Sequence, residues 1–164
     1  QLEPRLTWPC HHQEQMSRRR LVDWFRNAEH PVLFATSSFW EGVSIEGPQL
    51  SLVIIDRIPF QSPSDIVYDA RCEQLTRTTG DRWAWFDALA LPHAQLRLKQ
   101  GAGRLIRSRT DRGVVAILDP RLSTKGYGKR IVASLPPFRK VYQLDDIPAS
   151  LWKQPASAAQ ETRL

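Results

Sequence analysis

Leu50-Ser-Leu-Val-Ile-Ile55 is an aliphatic run interrupted by one small residue, Ser51. A run of that length and composition suits a strand buried on both faces of a parallel sheet, where neither side meets water. Val32-Leu-Phe-Ala35 ahead of it and Val114 to Leu118 behind it read the same way, and a last strand is predicted near 139–144. Helical stretches lie between them. Leu21, Trp24, Phe25 and Ala28 fall at i, i+3, i+4 and i+7, which predicts a helix over 17–28 with Ser17 as its N-cap. His30-Pro31 closes that helix, because the residue before a proline is pushed out of the helical region. Asp56 to Pro63 is a proline-rich loop. Residues 65–78 read as helix, Pro92 opens the next one, and another lies near 125–133. Residues 83–90 are ambiguous, and Trp83, Trp85 and Phe86 read as packing. Strands alternating with helices predict an α/β fold with a mainly parallel sheet flanked by helices.

The 164 residues suffice for one domain with its own core, predicted over 1–147. Residues 148–164 carry Pro, Ser, Ala and Gln with little apolar periodicity and read as a disordered tail. No run of ~18 apolar residues occurs, so no membrane span is expected, and no signal peptide is visible. The sequence begins at Gln1 rather than methionine, which reads as a piece or processed product of a longer chain. The net charge of +6 leaves two readings open, a polyanionic partner or a generic basic surface.

Cys10 and Cys72 are too few for a disulfide scaffold, which points to a reducing, cytoplasmic setting. Cys10-His11-His12 invites a metal, but neighbours on a strand point to opposite faces and no second ligand pair completes a set. No metal site is expected in this chain, and two cysteines cannot hold a four-cysteine cluster.

The chemistry concentrates in Leu91-Pro-His-Ala-Gln-Leu-Arg-Leu-Lys-Gln-Gly-Ala-Gly-Arg-Leu-Ile-Arg107. On a helix of ~100° per residue, Leu91, Ala94, Leu98, Ala102 and Leu105 share one face. Gln100, Arg104 and Arg107 share the opposite one. Two arginines on one exposed face repel each other unless an anion sits between them. Gly101 and Gly103 each cost a helix ~1 kcal/mol relative to alanine, which suggests a need for close approach. A triphosphate suits such a site, because guanidinium forks match phosphate oxygens and keep their charge. A solvated basic face remains the alternative. The Gly101-Ala-Gly103 spacing does not make a dinucleotide fingerprint, since a helix precedes it and Ile106 stands where a third glycine belongs.

A second unusual segment runs from Ala35 to Gly47, at the carboxyl end of a predicted strand, where parallel α/β sheets bind ligands. Thr36, Ser37 and Ser38 offer hydroxyls for phosphate or sugar contacts. Glu41 could accept from a ribose hydroxyl or orient an arginine, and Trp40 reads as packing.

Ser38-Phe-Trp-Glu-Gly-Val-Ser44 and Gln100-Gly-Ala-Gly-Arg-Leu-Ile-Arg107 resemble motifs V and VI of superfamily 2 helicases, in the iron–sulfur branch of DinG, YoaA and XPD. Asp111-Arg-Gly-Val-Val-Ala-Ile-Leu-Asp-Pro-Arg121 and Lys125-Gly-Tyr-Gly128 extend the resemblance, which covers roughly 17–138. It implies a RecA-like second motor domain that drives 5′ to 3′ translocation on single-stranded DNA with ATP and Mg2+. It implies that Arg104 and Arg107 are γ-phosphate arginines with Gln100 beside them. Glu41, Gly42 and Gly103 would contact nucleotide and the neighbouring motor domain, and Thr36, Ser37 and Ser38 the DNA. Ser44 stands where many relatives carry Asp. The family's phosphate loop, its acidic magnesium box and its 4Fe-4S cluster belong to a first motor domain. No GxxxxGK[ST] occurs here, so this stretch alone is expected not to hydrolyse ATP. By analogy a replication or repair protein could be a further partner. The competing class is a non-catalytic nucleic-acid-binding module on the same fold.

Overall fold

Ser17 starts the first helix as its spacing requires. Its side-chain oxygen accepts from the backbone N–H of Arg20 at 3.4 Å, and α1 runs Arg18–Asn27 with Leu21 and Phe25 buried. This is a computed structural model, and it describes residues 6–40, 45, 49–61, 65–105, 112–148 and 151, with backbone only at 38 and 40. Glu41, Gly42, Ser44, Arg107 and nearly all of the predicted tail lie outside the described residues.

Two compact units are present. The first comprises 1–53, 103–115 and 139–164. In it β1 (Cys10–His12) pairs in parallel with β2 (Val32–Phe34), Cys10 opposite Val32 and His12 opposite Phe34. A 3-10 turn, Ser37–Trp40, follows β2. The core of this unit joins Leu21, Phe25, Phe39 and Ile45, with Met16, Trp24, Leu33 and Leu50 packed around them. β1 is not among the strands that apolar runs predict, because its three residues have neither a strand-length apolar run nor alternation.

The second unit comprises 54–102 and 116–138. Its α2 (Ile66–Thr79) begins at Asp65, whose carboxylate accepts from the N–H groups of Val67 and Tyr68 at 3.0 and 3.2 Å. It ends at Gly80, in the left-handed conformation with φ of 71°, which L side chains resist. A π turn, Phe86–Ala90, leads without a break into α3 (Leu91–Ala102), so Pro92 lies inside a helical run rather than opening one. The N–H of Leu91 bonds to the carbonyl of Phe86 in this wide turn, which accommodates a proline that has no N–H to offer. Leu91, Ala94, Leu98 and Ala102 are fully buried, and α3 packs on α5 (Gly128–Ser134).

The division between the units falls within β3 (Leu52–Ile55) and β4 (Val114–Ile117), which form a second two-stranded sheet. Val114 N–H bonds to Ser51 C=O and Leu118 N–H to Ile55 C=O, both at 2.9 Å, so the strands run in the same direction.

Four further sequence expectations are corrected. Neither β3 nor β4 is buried on both faces: Leu52 and Ile54 are 38% and 59% exposed, and β4 is half-buried throughout. With two strands in the sheet among the described residues, alternate side chains face outward. α3 stops at Ala102, and 103–105 form turns, consistent with two glycines in three residues weakening the helix. The helix expected near 125–133 is two, α4 (Arg121–Thr124) and α5, broken at Lys125 by its extended backbone. No strand occurs at 139–144. That stretch is irregular up to a 3-10 turn at Leu144–Asp146, and Tyr142 and Leu144 stay exposed with no partner strand described. The remaining elements agree: α1, β2 and α2 begin and end within about two residues of expectation.

Candidate functional site

The predicted site residues fall into two sets. Thr36 and Ser37 stand at the carboxyl end of β2, Thr36 exposed and Ser37 half-buried at the first position of the 3-10 turn. The Thr36 backbone is fixed at both ends. Its carbonyl accepts from Phe39 N–H at 3.0 Å, and its N–H donates to the side-chain oxygen of Gln13 at 2.9 Å. The Thr36 hydroxyl donates to the same Gln13 oxygen at 3.1 Å. Gln13 is itself held, because its backbone N–H donates to Phe34 C=O at 2.9 Å, extending the β1–β2 ladder by one step. The guanidinium of Arg18 lies over the Phe39 ring, 5.5 Å from its centre. Sequence reasoning missed Gln13. Its signal is long-range, 23 positions from Thr36, and nothing in a local pattern reports it.

The second set surrounds the end of α3. The buried stripe Leu91, Ala94, Leu98 and Ala102 is the one the spacing predicts, and Leu105 beyond it is 4% exposed. Gln100 is exposed in the last turn of the helix. Gly103 and half-buried Arg104 occupy the turn that follows, so Arg104 is not part of the helix that carries Gln100. Arg104 has a partner in the structure and is not a free cation. Of the motif V residues, Glu41 and Gly42 lie outside the described residues, as do Arg107 and the Ser38 side chain.

Cys10-His11-His12 form β1, and its two imidazole rings pack against neighbouring side chains. His11 meets Trp24 edge-on at 4.4 Å and donates from Nδ1 to the Gln15 side-chain oxygen at 2.6 Å, while His12 stacks on Phe34 at 5.1 Å. The two rings serve different neighbours.

A further constellation in the second unit was unforeseen. Asp119, 4% exposed, receives three side-chain hydrogen bonds from Arg121, one from Arg121 N–H and one from Ile58 N–H. The Arg121 guanidinium beside it holds the Asp119 carboxyl well below the usual carboxylate range, with the two N–H donors reinforcing this against burial. Arg121 also lies over the Phe60 ring at 5.2 Å, and Phe60, Phe86 and Tyr127 form an aromatic cluster with centres 5.1 to 5.8 Å apart. An open groove of 380 Å³ lies beside α2 and α3, where Tyr68, Arg71, Pro92, His93 and Leu96 are among its walls.

Residues 2–138 match the family described as "Helicase C-terminal domain". The chain is 47% identical over 137 residues to "ATP-dependent DNA helicase YoaA" of Escherichia coli (strain K12), covering 84% of the chain and 21% of that protein. It is 43% identical over 150 residues to "ATP-dependent helicase DinG" of Mycobacterium tuberculosis (strain ATCC 25177 / H37Ra), covering 92% of the chain and 22% of the relative. It is 41% identical over 117 residues to "3'-5' exonuclease DinG" of Bacillus subtilis (strain 168), covering 71% and 12%. The chain thus spans at most about a fifth of the length of these relatives.

Proposed function

Because the chain belongs to the helicase C-terminal domain family, we propose that it is the RecA-like second motor domain of a 5′ to 3′ ATP-dependent DNA helicase of the DinG and YoaA type. In this reading 1–147 act as one domain with 148–164 as a tail, in a cytoplasmic protein. Arg104 and Arg107 face the γ-phosphate of Mg2+-bound ATP held by a first motor domain, with Gln100 beside them. Glu41, Gly42 and Gly103 contact the nucleotide and that domain. Thr36, Ser37 and Ser38 contact single-stranded DNA.

The observation that carries the reading is the family match, within which Gln100 stands in the last turn of a helix whose leucine face is buried, with Arg104 in the turn after it. The chemistry fits. Phosphoryl transfer spreads negative charge over the transferred oxygens, and fixed guanidiniums stabilise that charge more than they stabilise bound ATP. A 4Fe-4S cluster does not fit the residues present, since Cys10 and Cys72 are two thiols where four are needed, so its ligands would come from the first motor domain.

The test uses the full-length protein. ATP turnover should rise with single-stranded DNA, and a duplex with a 5′ tail should unwind while one with a 3′ tail should not. The end of α3 at Ala102, before Arg104 is reached, favours the second reading of a non-catalytic nucleic-acid-binding module. DNA binding without any ATP turnover would establish that reading instead.

A further inference from the structure

Gln13 sits in the turn after β1, beside the end of β2, where two parallel strands finish together. Carboxyl ends of parallel strands are where α/β sheets place ligands. Both donors of Thr36 point at one atom of the Gln13 amide, at 2.9 and 3.1 Å. That atom must be the oxygen, because the amide nitrogen would set donor against donor. The amide is therefore locked in one orientation, and its Nε2 group, with two N–H donors, is turned away from Thr36. Nε2 makes no hydrogen bond among the described residues, and the side chain is half-exposed. The turn is stiffened from the other side as well: Gln15 Oε1 accepts from His12 N–H at 3.0 Å and Gln15 N–H donates to His12 C=O at 3.1 Å. The charge nearby is positive. Residues 11–20 carry three arginines against one acid, Glu14, and Arg18 lies on the ring of Phe39, which is hydrogen-bonded to Thr36.

We propose that Gln13, oriented by Thr36, donates through its Nε2 amide to a phosphate oxygen of single-stranded DNA crossing the carboxyl ends of β1 and β2. The inference rests on the motor-domain reading and extends it with a contact residue outside both helicase motifs. A neutral, pre-oriented donor fixes the register of a strand without adding a diffuse charge, and amide side chains and backbone N–H groups commonly play this part on phosphates. Thr36 then has a second task beside any contact of its own, holding the amide so that little rotamer freedom is lost when DNA arrives.

The decisive variant is Gln13→Glu in the full-length protein. A carboxylate still accepts from the Thr36 N–H and hydroxyl, so a purely structural role predicts unchanged behaviour. The proposal predicts the opposite, since the free edge now presents a negative oxygen to the phosphate. Fluorescence anisotropy with a labelled oligothymidylate should show affinity falling about tenfold or more, with an unchanged melting temperature and an unchanged KM for ATP. Gln13→Ala should weaken binding about three- to tenfold at every salt concentration with the salt slope kept, because a neutral amide releases no counterion. Wild-type DNA affinity in Gln13→Glu, or a raised KM for ATP with DNA affinity retained, overturns the proposal alone. Failure of the wild-type protein to bind single-stranded DNA removes the motor-domain reading beneath it.

Discussion

Asp119 grips Arg121, two positions downstream, and Ile58, 61 positions upstream, with the same carboxylate. Every strong acceptor direction of this buried group is used: Nη2 of Arg121 at 2.6 Å, its Nε at 2.9 and 3.0 Å, and backbone N–H groups of Arg121 and Ile58 at 2.9 and 2.8 Å. The pair thereby fastens the loop after β3 to the loop after β4. Burying a carboxylate is tolerable only with such complete pairing, and removal of one partner leaves an uncompensated charge or an unsatisfied N–H.

Asp119→Ala should destabilise the protein by about 2–4 kcal/mol, somewhat below the range for fully buried pairs because the Arg121 side chain is 36% exposed. Denaturant unfolding of wild type and variant, with the slope compared as well as the midpoint, measures this. A loss under about 0.5 kcal/mol would show that the clamp is ornamental.

The same pair predicts a pH dependence with a definite sign. The folded-state pKa of Asp119 is depressed, first by the Arg121 hydrogen bonds. Its contribution is therefore complete above the unfolded carboxylate value of about 3.9 and is lost as pH falls below that toward the folded value. The stability gap between wild type and Asp119→Asn should be constant between neutral pH and about pH 5 and should narrow below about pH 4. A gap that widens on acidification would contradict the assignment.

Arg107→Ala in the full-length protein should leave nucleotide binding nearly intact and lower kcat by about two to four orders of magnitude, as expected for loss of charge stabilisation in the transition state. Arg107→Lys should rescue poorly, because an ammonium lacks the planar fork. Normal ATP turnover together with weaker, less salt-dependent DNA binding would move Arg107 to the DNA.

The 164-residue chain by itself should fold and show no DNA-stimulated phosphate release, since it carries no GxxxxGK[ST] to hold the β- and γ-phosphates. Robust turnover by the pure chain would defeat the split-site reading.

Gly128→Ala and Gly126→Ala should part company. A Cβ at Gly128 would lie 2.6 Å from the carbonyl carbon and 2.9 Å from the Cα of Leu122, which are backbone atoms that cannot swing aside. Overpacking of that kind costs about 1–3 kcal/mol. A Cβ at Gly126 meets nothing within 4 Å, so that variant should be neutral or about 0.4–1 kcal/mol more stable through the unfolded chain. Thermal melts of the two variants settle the contrast.

Periodicity alone located α1, with its Ser17 cap, and the buried face of α3 residue by residue from Leu91 to Ala102. Both depend on neighbours within one or two helical turns, and a local pattern reports local geometry. The alternation of strands and helices likewise gives the α/β class, and the string Gln100 to Arg107 points to the family without any tertiary information. What the sequence could not decide is where a helix yields. α3 was expected to continue through Arg107 and ends at Ala102, because glycine propensities of about 1 kcal/mol leave the outcome to tertiary packing. Nor could it decide which polar groups meet. Gln13 and Thr36 are 23 positions apart, Ile58 and Asp119 are 61 apart, and each pair exists because parallel strands bring their carboxyl ends side by side. The aliphatic run of β3 fixed a strand but not its burial, since exposure of Leu52 and Ile54 depends on what covers the sheet, which is a property of neighbours and not of the strand.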